Sequence, residues 1–320
     1  MPVNANKPDR WKADIAQSVD FYNEWFIRFA PKAFRDSRGE ATDKVMKALA
    51  QTANLTKIEP ATLLEDPTVL MMLRMSTAPP LARDRLIGLA GVSPNLVRTM
   101  EMRGRVPNRM SAGEIATGLD KIGSIVLRLV DTDIFSWLGT GLSPTEQDVF
   151  RAATVVADRL CGAAADPIIR NAQEKRQLDS IRSWLEARGY RLLDGSERGE
   201  LQSILPGTFA FHVNVPIQHG SSARRVIVSV DAAIMPLSAE VGELPLLVEA
   251  KSAGDFTNPN KRRKEEATKI NQLQTTYGPD VRYILFLCGY FDTPYLGYEA
   301  AEGIDWVWEH RIDDLAELGL

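Results

Sequence analysis

Three side chains near the C-terminal end have the types and spacing to do chemistry together: Asp231 and, eighteen residues on, Glu249 and Lys251. Each follows an apolar run. Val226-Ile227-Val228-Ser229-Val230 leads into Asp231, and Leu246-Leu247-Val248 leads into Glu249-Ala250-Lys251. Runs of this kind are usually buried strands, here expected to end at their charged residues. A buried Asp, Glu and Lys are costly together unless they bind something, and a divalent metal with a phosphate would satisfy all three. The group suits phosphodiester hydrolysis. Asp231, Glu249 and the Ala250 carbonyl would ligate one or two Mg2+ ions, because hard cations take oxygen ligands. Lys251, on the same strand face as Glu249 by the period-2 pleat, would hold or help deprotonate the attacking water and offset phosphate charge. Residue types alone do not say which group moves the proton. The plainer alternative is that Glu249 and Lys251 form an exposed ion pair on an edge strand.

The elements that would position these residues are legible around them. Asn171 to Arg188 reads as an amphipathic helix with Leu178, Ile181, Trp184 and Leu185 on its apolar face, closed by Gly189. Strands are expected at Tyr190 to Leu193, Thr208 to Ile217, Arg225 to Ile234 and Leu244 to Lys251. A helix from about Lys261 to Tyr277, a strand Val281 to Gly289, and a final strand and helix around Ile304 to Leu318 follow. The order is that of an α/β fold, a mixed sheet flanked by helices. Glu174, early in the first of these helices, is a candidate carboxylate for a second metal; a solvated helix residue is the ordinary alternative. Ser252, Asn258, Lys261, Arg262, Lys264 and Lys269 are groups that a DNA backbone would want, although charge runs often mark only a solvated face.

The N-terminal half reads as helical. Helices are expected from Trp11 to about Phe34, from Thr42 to Ala53 and around Val69 to Met75, with a break at Pro79-Pro80. Leu81 to Ala90 then reads as a short helix and Gly91-Val92-Ser93 as a turn. Pro94 to Met102 follows as a helix with Ser93 as its N-cap. The pattern over residues 81–103 resembles a helix-turn-helix whose second helix would present Asn95, Arg98, Thr99 and Arg103 to bases or phosphates, with Arg83, Arg85 and Arg105 as further DNA-binding candidates. A helical hairpin with a solvated basic face fits the same residues. Further helices are expected from Ala112 to Leu129 and, opened by a Ser143-Pro144-Thr145-Glu146 capping box, to about Leu160. Gly162-Ala163-Ala164-Ala165-Asp166-Pro167 is the expected boundary between a helical region, residues 1–165, and a catalytic domain, residues 166–320.

Composition bounds the answer without deciding it. The chain has 320 residues, 44% hydrophobic and 25% charged, as ordinary globular proteins do. A net charge of -4 argues against a nucleic-acid partner, but between Met71 and Arg109 seven arginines face only Asp84 and Glu101. Cys161 and Cys288 lie in apolar segments and no N-terminal apolar leader is visible, which suggests a reducing cytoplasm and no membrane. His212, His219 and His310 lack the clustering of a zinc or HNH site. No Walker A loop, G-x-S-x-G or G-x-G-x-x-G pattern occurs, which disfavours ATP-driven and triad chemistry.

The spacing of Asp231, Glu249 and Lys251 resembles the core of the PD-(D/E)xK nucleases. Three longer segments carry a closer likeness: Tyr22-Asn23-Glu24-Trp25-Phe26 with Phe29-Ala30-Pro31; Arg170-Asn171-Ala172-Gln173-Glu174; and Glu249 to Asn258 with Lys261-Arg262-Arg263-Lys264-Glu265-Glu266. Together they resemble the XamI family of type II restriction endonucleases across most of the chain. The resemblance implies Mg2+-dependent, sequence-specific cleavage of double-stranded DNA with Asp231, Glu249 and Lys251 at the catalytic positions. It also implies a cognate DNA methyltransferase as functional partner and a homodimer if the site is palindromic. Val230 stands where the motif's name has proline. A repair or structure-specific nuclease, or a DNA-binding regulator without catalysis, are the alternatives.

Overall fold

Asp231, Glu249 and Lys251 are positioned by the second of two groups of elements, and the first group is helical throughout. A computed structural model describes residues 2–194, 201–218, 225–240 and 242–320, apart from the side chains of 163–166, 218, 225, 258 and 260–263. The helices are α1 (Pro8–Gln51), α2 (Pro60–Glu65), α3 (Val69–Met75), α4 (Arg83–Ala90), α5 (Pro94–Arg103), α6 (Ala112–Leu129), α7 (Trp137–Thr140) and α8 (Glu146–Glu186). The sheet elements follow: β1 (Arg191–Leu192), β2 (Thr208–Gln218), β3 (Arg225–Ile234), β4 (Leu246–Ala253), α9 (Thr257–Tyr277), β5 (Tyr283–Gly289), α10 (Thr293–Ala301) and β6 (Asp305–Trp308), then a 3-10 segment, Glu309–Leu318. No helix among the described residues is long and apolar enough to cross a membrane.

The chain divides into two compact units, residues 30–168 and residues 1–29 with 169–320. The expected boundary at 165/166 lies close to one crossing point, but the first 29 residues belong with the sheet. Val3, Asn4 and Ala5 donate their backbone N–H groups to the Asp305 carboxylate at the start of β6. Trp11 packs edge-on to Trp306 at 5.5 Å. The two helices expected at the N-terminus are one, α1, because the polar stretch between them is a solvated helix face: Lys32 pairs with Asp36 at 2.8 Å, and the Thr42 hydroxyl donates to the Arg38 carbonyl. The Gly162 to Pro167 segment likewise lies inside α8. Alanine is the strongest helix former and carries the helix through. The cap at the start of α8 is Thr145 with Asp148, which exchange hydrogen bonds reciprocally, not Ser143 with Glu146.

Within residues 30–168, Leu49, Leu70, Leu73, Leu86, Leu96, Val97, Leu119, Ile122 and Val126 are among the fully buried residues of one apolar core. The helix-turn-helix pattern is realised: Gly91 ends α4 in the left-handed region, and the Ser93 hydroxyl caps α5 on the N–H of Asn95.

In the other unit the sheet order is β1-β2-β3-β4-β5-β6. β2, β3 and β4 are antiparallel neighbours, while β4, β5 and β6 run parallel through crossovers that carry α9 and α10. One face packs Leu178, Ile181, Trp184 and Leu185 of α8 on Val248, Phe286 and Val307. The other packs Ile270 and Leu273 of α9 and Leu296 of α10 on Leu247, Leu285 and Trp306. β3 keeps its expected bounds, which carry it three residues past Asp231, and β4 runs two residues past its expected end at Lys251, so the carboxylates stand within the strands.

Candidate active site

The strand pairing changes where the carboxylates stand. β3 pairs with β4 only through Ile234–Leu246, Ala233–Leu247 and Ala232–Val248; beyond that point β3 stays with β2 and β4 with β5. Asp231 and Glu249 would have been the next pair. They therefore face the fork where two central strands part; Glu249 and Lys251 are ion-paired, as the plainer alternative has it, but the pair is partly buried and β4 is flanked by β3 and β5 in the sheet. At the fork the Ala250 N–H donates to Oδ2 of Asp231 at 2.8 Å. The N–H and C=O of one strand residue point the same way, which turns the Ala250 carbonyl toward the fork as well.

The charges around the fork are tightly paired. Lys251 Nζ lies 3.3 Å from Oε1 of Glu249, and Lys269 Nζ lies 2.7 Å from Oε2. Lys269 also donates to the Ser229 carbonyl at 2.8 Å. Lys251 has a second partner, Oε1 of Glu266 on α9, at 3.0 Å. Burial pulls the Lys251 ammonium toward its neutral form, but the carboxylates of Glu249 and Glu266 outweigh it and hold its pKa above the ordinary value. Asp231 moves the other way for an acid. Burial first, then the charge of Glu249, push its carboxyl up to about 6, against the pull of the Ala250 N–H.

Glu174 and His212 complete the site from other elements. Glu174 on α8, His212 on β2 and Asp231 each bring a ligand atom to within 4.8 Å of one another. His212 has a positive φ of 52°, rare for a residue with a side chain, and its Nδ1 lies 3.7 Å from Oε1 of Glu174. A cavity of about 470 Å³ adjoins them, lined in part by Asn171, Lys175, Arg182 and Phe211. The pairing of β2 with β3 sets His212, whose side chain is exposed, opposite Asp231, a placement that nothing in the spacing of the histidines announces. Gln177, also unforeseen, is buried and donates to the carbonyls of Phe286 and Lys251 at 3.0 and 3.3 Å, tying β4 to β5 behind the site. His310 rests against Trp308, and His219 lies outside the described residues.

The residues expected to contact DNA fall into three groups. Lys269 is occupied with Glu249, and the Ser252 hydroxyl is buried without a hydrogen-bond partner; Lys264 is exposed on α9. The side chains of Asn258, Lys261 and Arg262 lie outside the described residues. In the helical unit Arg83 is tied by its Nε to Glu101 at 2.6 Å, and Glu101, whose side chain is fully buried, also holds Arg74. That pairing makes Arg83 part of the scaffold. Arg85 and Arg98 are exposed, Arg98 lying 3.6 Å from Asp84. Asn95, Arg103, Arg105, Asn108 and Arg109 line one hollow of about 220 Å³ at the end of α5.

The chain matches the family model of the XamI restriction endonuclease over residues 53–308. It is 54% identical over 317 residues to the type II restriction enzyme SalI of Streptomyces albus G, and the match covers 99% of each chain. Among solved structures, protein VC1899 from Vibrio cholerae aligns at 14% identity and a TM-score of 0.27, over 82% of this chain and 62% of that one; a likeness this slight carries no argument.

Proposed function

The chain belongs to the XamI restriction endonuclease family, and from that premise we propose that Asp231, Glu249 and Lys251 are the residues with which it cuts DNA. It is a type II restriction endonuclease, cleaving DNA at specific sequences. The observation that carries the site assignment is the fork: Asp231 and Glu249 meet where β3 and β4 part, with Lys251 on the same strand as Glu249. The sheet with α8 on one face and α9 and α10 on the other fits a PD-(D/E)xK nuclease core.

The donor set fits Mg2+. Asp231, Glu174 and the Ala250 carbonyl offer hard oxygens, and burial, then the charge of Glu249, make the Asp231 carboxylate costly without a cation. Glu249 would join them by exchanging a lysine partner for the metal. Bound there, Mg2+ would polarise the scissile phosphate and supply a water of lowered pKa. The protein's own work is positional and electrostatic. Asp231 is aimed by the Ala250 N–H, and Lys251 presents a fixed ammonium to the charge that builds on the phosphoryl oxygens.

The helical unit would grip the duplex through the Asn95, Arg103, Arg105 and Arg109 hollow, with the exposed Arg85 of α4 and Arg98 of α5. Phosphate contacts set register, and base-edge contacts from α5 would add specificity. A homodimer acting on a palindromic site, in a cytoplasm whose own DNA is protected by a cognate methyltransferase, completes the reading.

The experiment is digestion of unmethylated phage DNA by the purified chain with and without Mg2+. Discrete fragments that require the metal are expected. A smear would mean a nuclease without sequence preference, and binding without cutting would mean a regulator.

A further inference from the structure

Lys251 has a partner that the cleavage chemistry leaves unused. Glu266, on α9, is 3% exposed and meets the Lys251 ammonium with Oε1 at 3.0 Å, while its Oε2 is buried with no hydrogen-bond partner. A second carboxyl, Glu299 of α10, is fully buried. Burial first and then the charge of Glu266 push Glu299 up to about 8, so it keeps its proton at neutral pH. The buried ring of Tyr295 stands beside it, its own hydroxyl pKa raised by burial and then by Glu299.

A carboxyl buried like Glu266 is expensive to keep in a core, where an apolar side chain of similar volume would pack at lower cost. Its geometry supplies a reason. A cation on Glu249 would draw that carboxylate away from its lysines, and its hold on Lys251, at 3.3 Å, is already the longer of that lysine's two contacts. Without a second anchor the ammonium would sit on a flexible four-carbon stem. We propose that Glu266 is the positioning residue for Lys251, keeping the ammonium aimed at the fork when Glu249 is engaged. This rests on the reading of Lys251 given above, and it makes α9 part of the active-site support.

The test compares Glu266→Gln, Glu266→Asp, Glu299→Gln and Lys251→Ala in steady-state cleavage of a single-site DNA with Mg2+, alongside thermal melting. Lost aim should appear in kcat, with KM within about threefold of wild type. The expected order of kcat is wild type, then Glu266→Asp, then Glu266→Gln, the last lower by about tenfold or more. Glu299→Gln, which keeps a neutral group beside Glu266, should stay within about threefold. Glu266→Gln cleaving at the wild-type rate while Lys251→Ala is inactive would overturn the inference and leave the site assignment standing. Lys251→Ala cleaving normally would instead overturn the assignment beneath it. Should Glu266→Gln fail to fold, Glu266→Asp at wild-type kcat overturns the inference on its own.

Discussion

The Lys269 ammonium lies 2.7 Å from Oε2 of Glu249, across the carboxylate from Lys251 on Oε1. The carboxylate proposed to bind metal is thus closed by two internal cations. Any cation that reaches Glu249 must displace one of them, and Lys269, which also holds the Ser229 carbonyl, is the one not on its strand.

Lys269→Met should therefore lower the Mg2+ concentration needed for half-maximal cleavage by about three- to tenfold, since a competing charge is removed from the ligand. Titrating cleavage with Mg2+ at fixed ionic strength measures this. If Lys269 instead contacts DNA, the variant would weaken metal-free DNA binding and leave the Mg2+ midpoint where it was.

The Asp231 carboxyl, normally near 3.8, is raised to about 6. A protonated Asp231 is a poor metal ligand, so cleavage at limiting Mg2+ should fall as pH drops through about 6 and recover at saturating metal. Stability runs the other way. Between the unfolded value of 3.8 and about 6 the folded state holds more protons than the unfolded one, so stability falls as pH rises through that window. Asp231→Asn should melt higher than wild type at pH 8, by an amount on the order of 1–2 kcal/mol, and lose the advantage below pH 4. Equal melting temperatures at pH 8 would contradict the shift.

Glu174 and His212 offer a test of the metal site that does not depend on cleavage. Mn2+ binding by calorimetry should weaken by about tenfold or more in Glu174→Ala and by less in His212→Ala, because the carboxylate brings charge as well as a ligand atom. Unchanged Mn2+ affinity in both would remove them from the site.

The arginines of the helical unit should separate into two classes. Arg103→Ala and Arg105→Ala should each reduce the slope of log affinity against log salt by about 1, as expected for a lost phosphate contact. Arg83→Ala should instead destabilise the fold by about 1–3 kcal/mol, since it strips a partner from a buried carboxylate, and should leave the salt slope alone. A melting temperature unaffected by Arg83→Ala would refute its scaffold role.

Much of this was readable from the chain because it depends on local pattern. The bounds of α3 and β3, the Ser93 cap with Pro94 behind it, and the grouping of Asp231, Glu249 and Lys251 follow from periodicity, cap chemistry and spacing. α10 was missed although Asp292-Thr293-Pro294 announces it: the Asp292 carboxylate caps the Tyr295 N–H. What local pattern could not give is what long-range packing decides. Glu174 stands out as a candidate carboxylate early in its helix, but that it meets His212 and Asp231, and that Glu266 reaches Lys251 from α9, depends on how α8, β2 and α9 pack against β3 and β4. The Gly162 to Pro167 segment reads as a break because glycine and proline usually make one, yet α8 continues through it with well-packed residues on either side.

The central claim is that Asp231, Glu249 and Lys251 cut DNA and do not merely bind it. The most direct measurement sets single-turnover cleavage beside metal-free specific binding for Glu249→Ala and Lys251→Ala. Cleavage should be abolished in both, while specific affinity stays within about tenfold of wild type, because groups that act on the transition state add little to ground-state binding. Near-wild-type cleavage by Lys251→Ala would contradict the account.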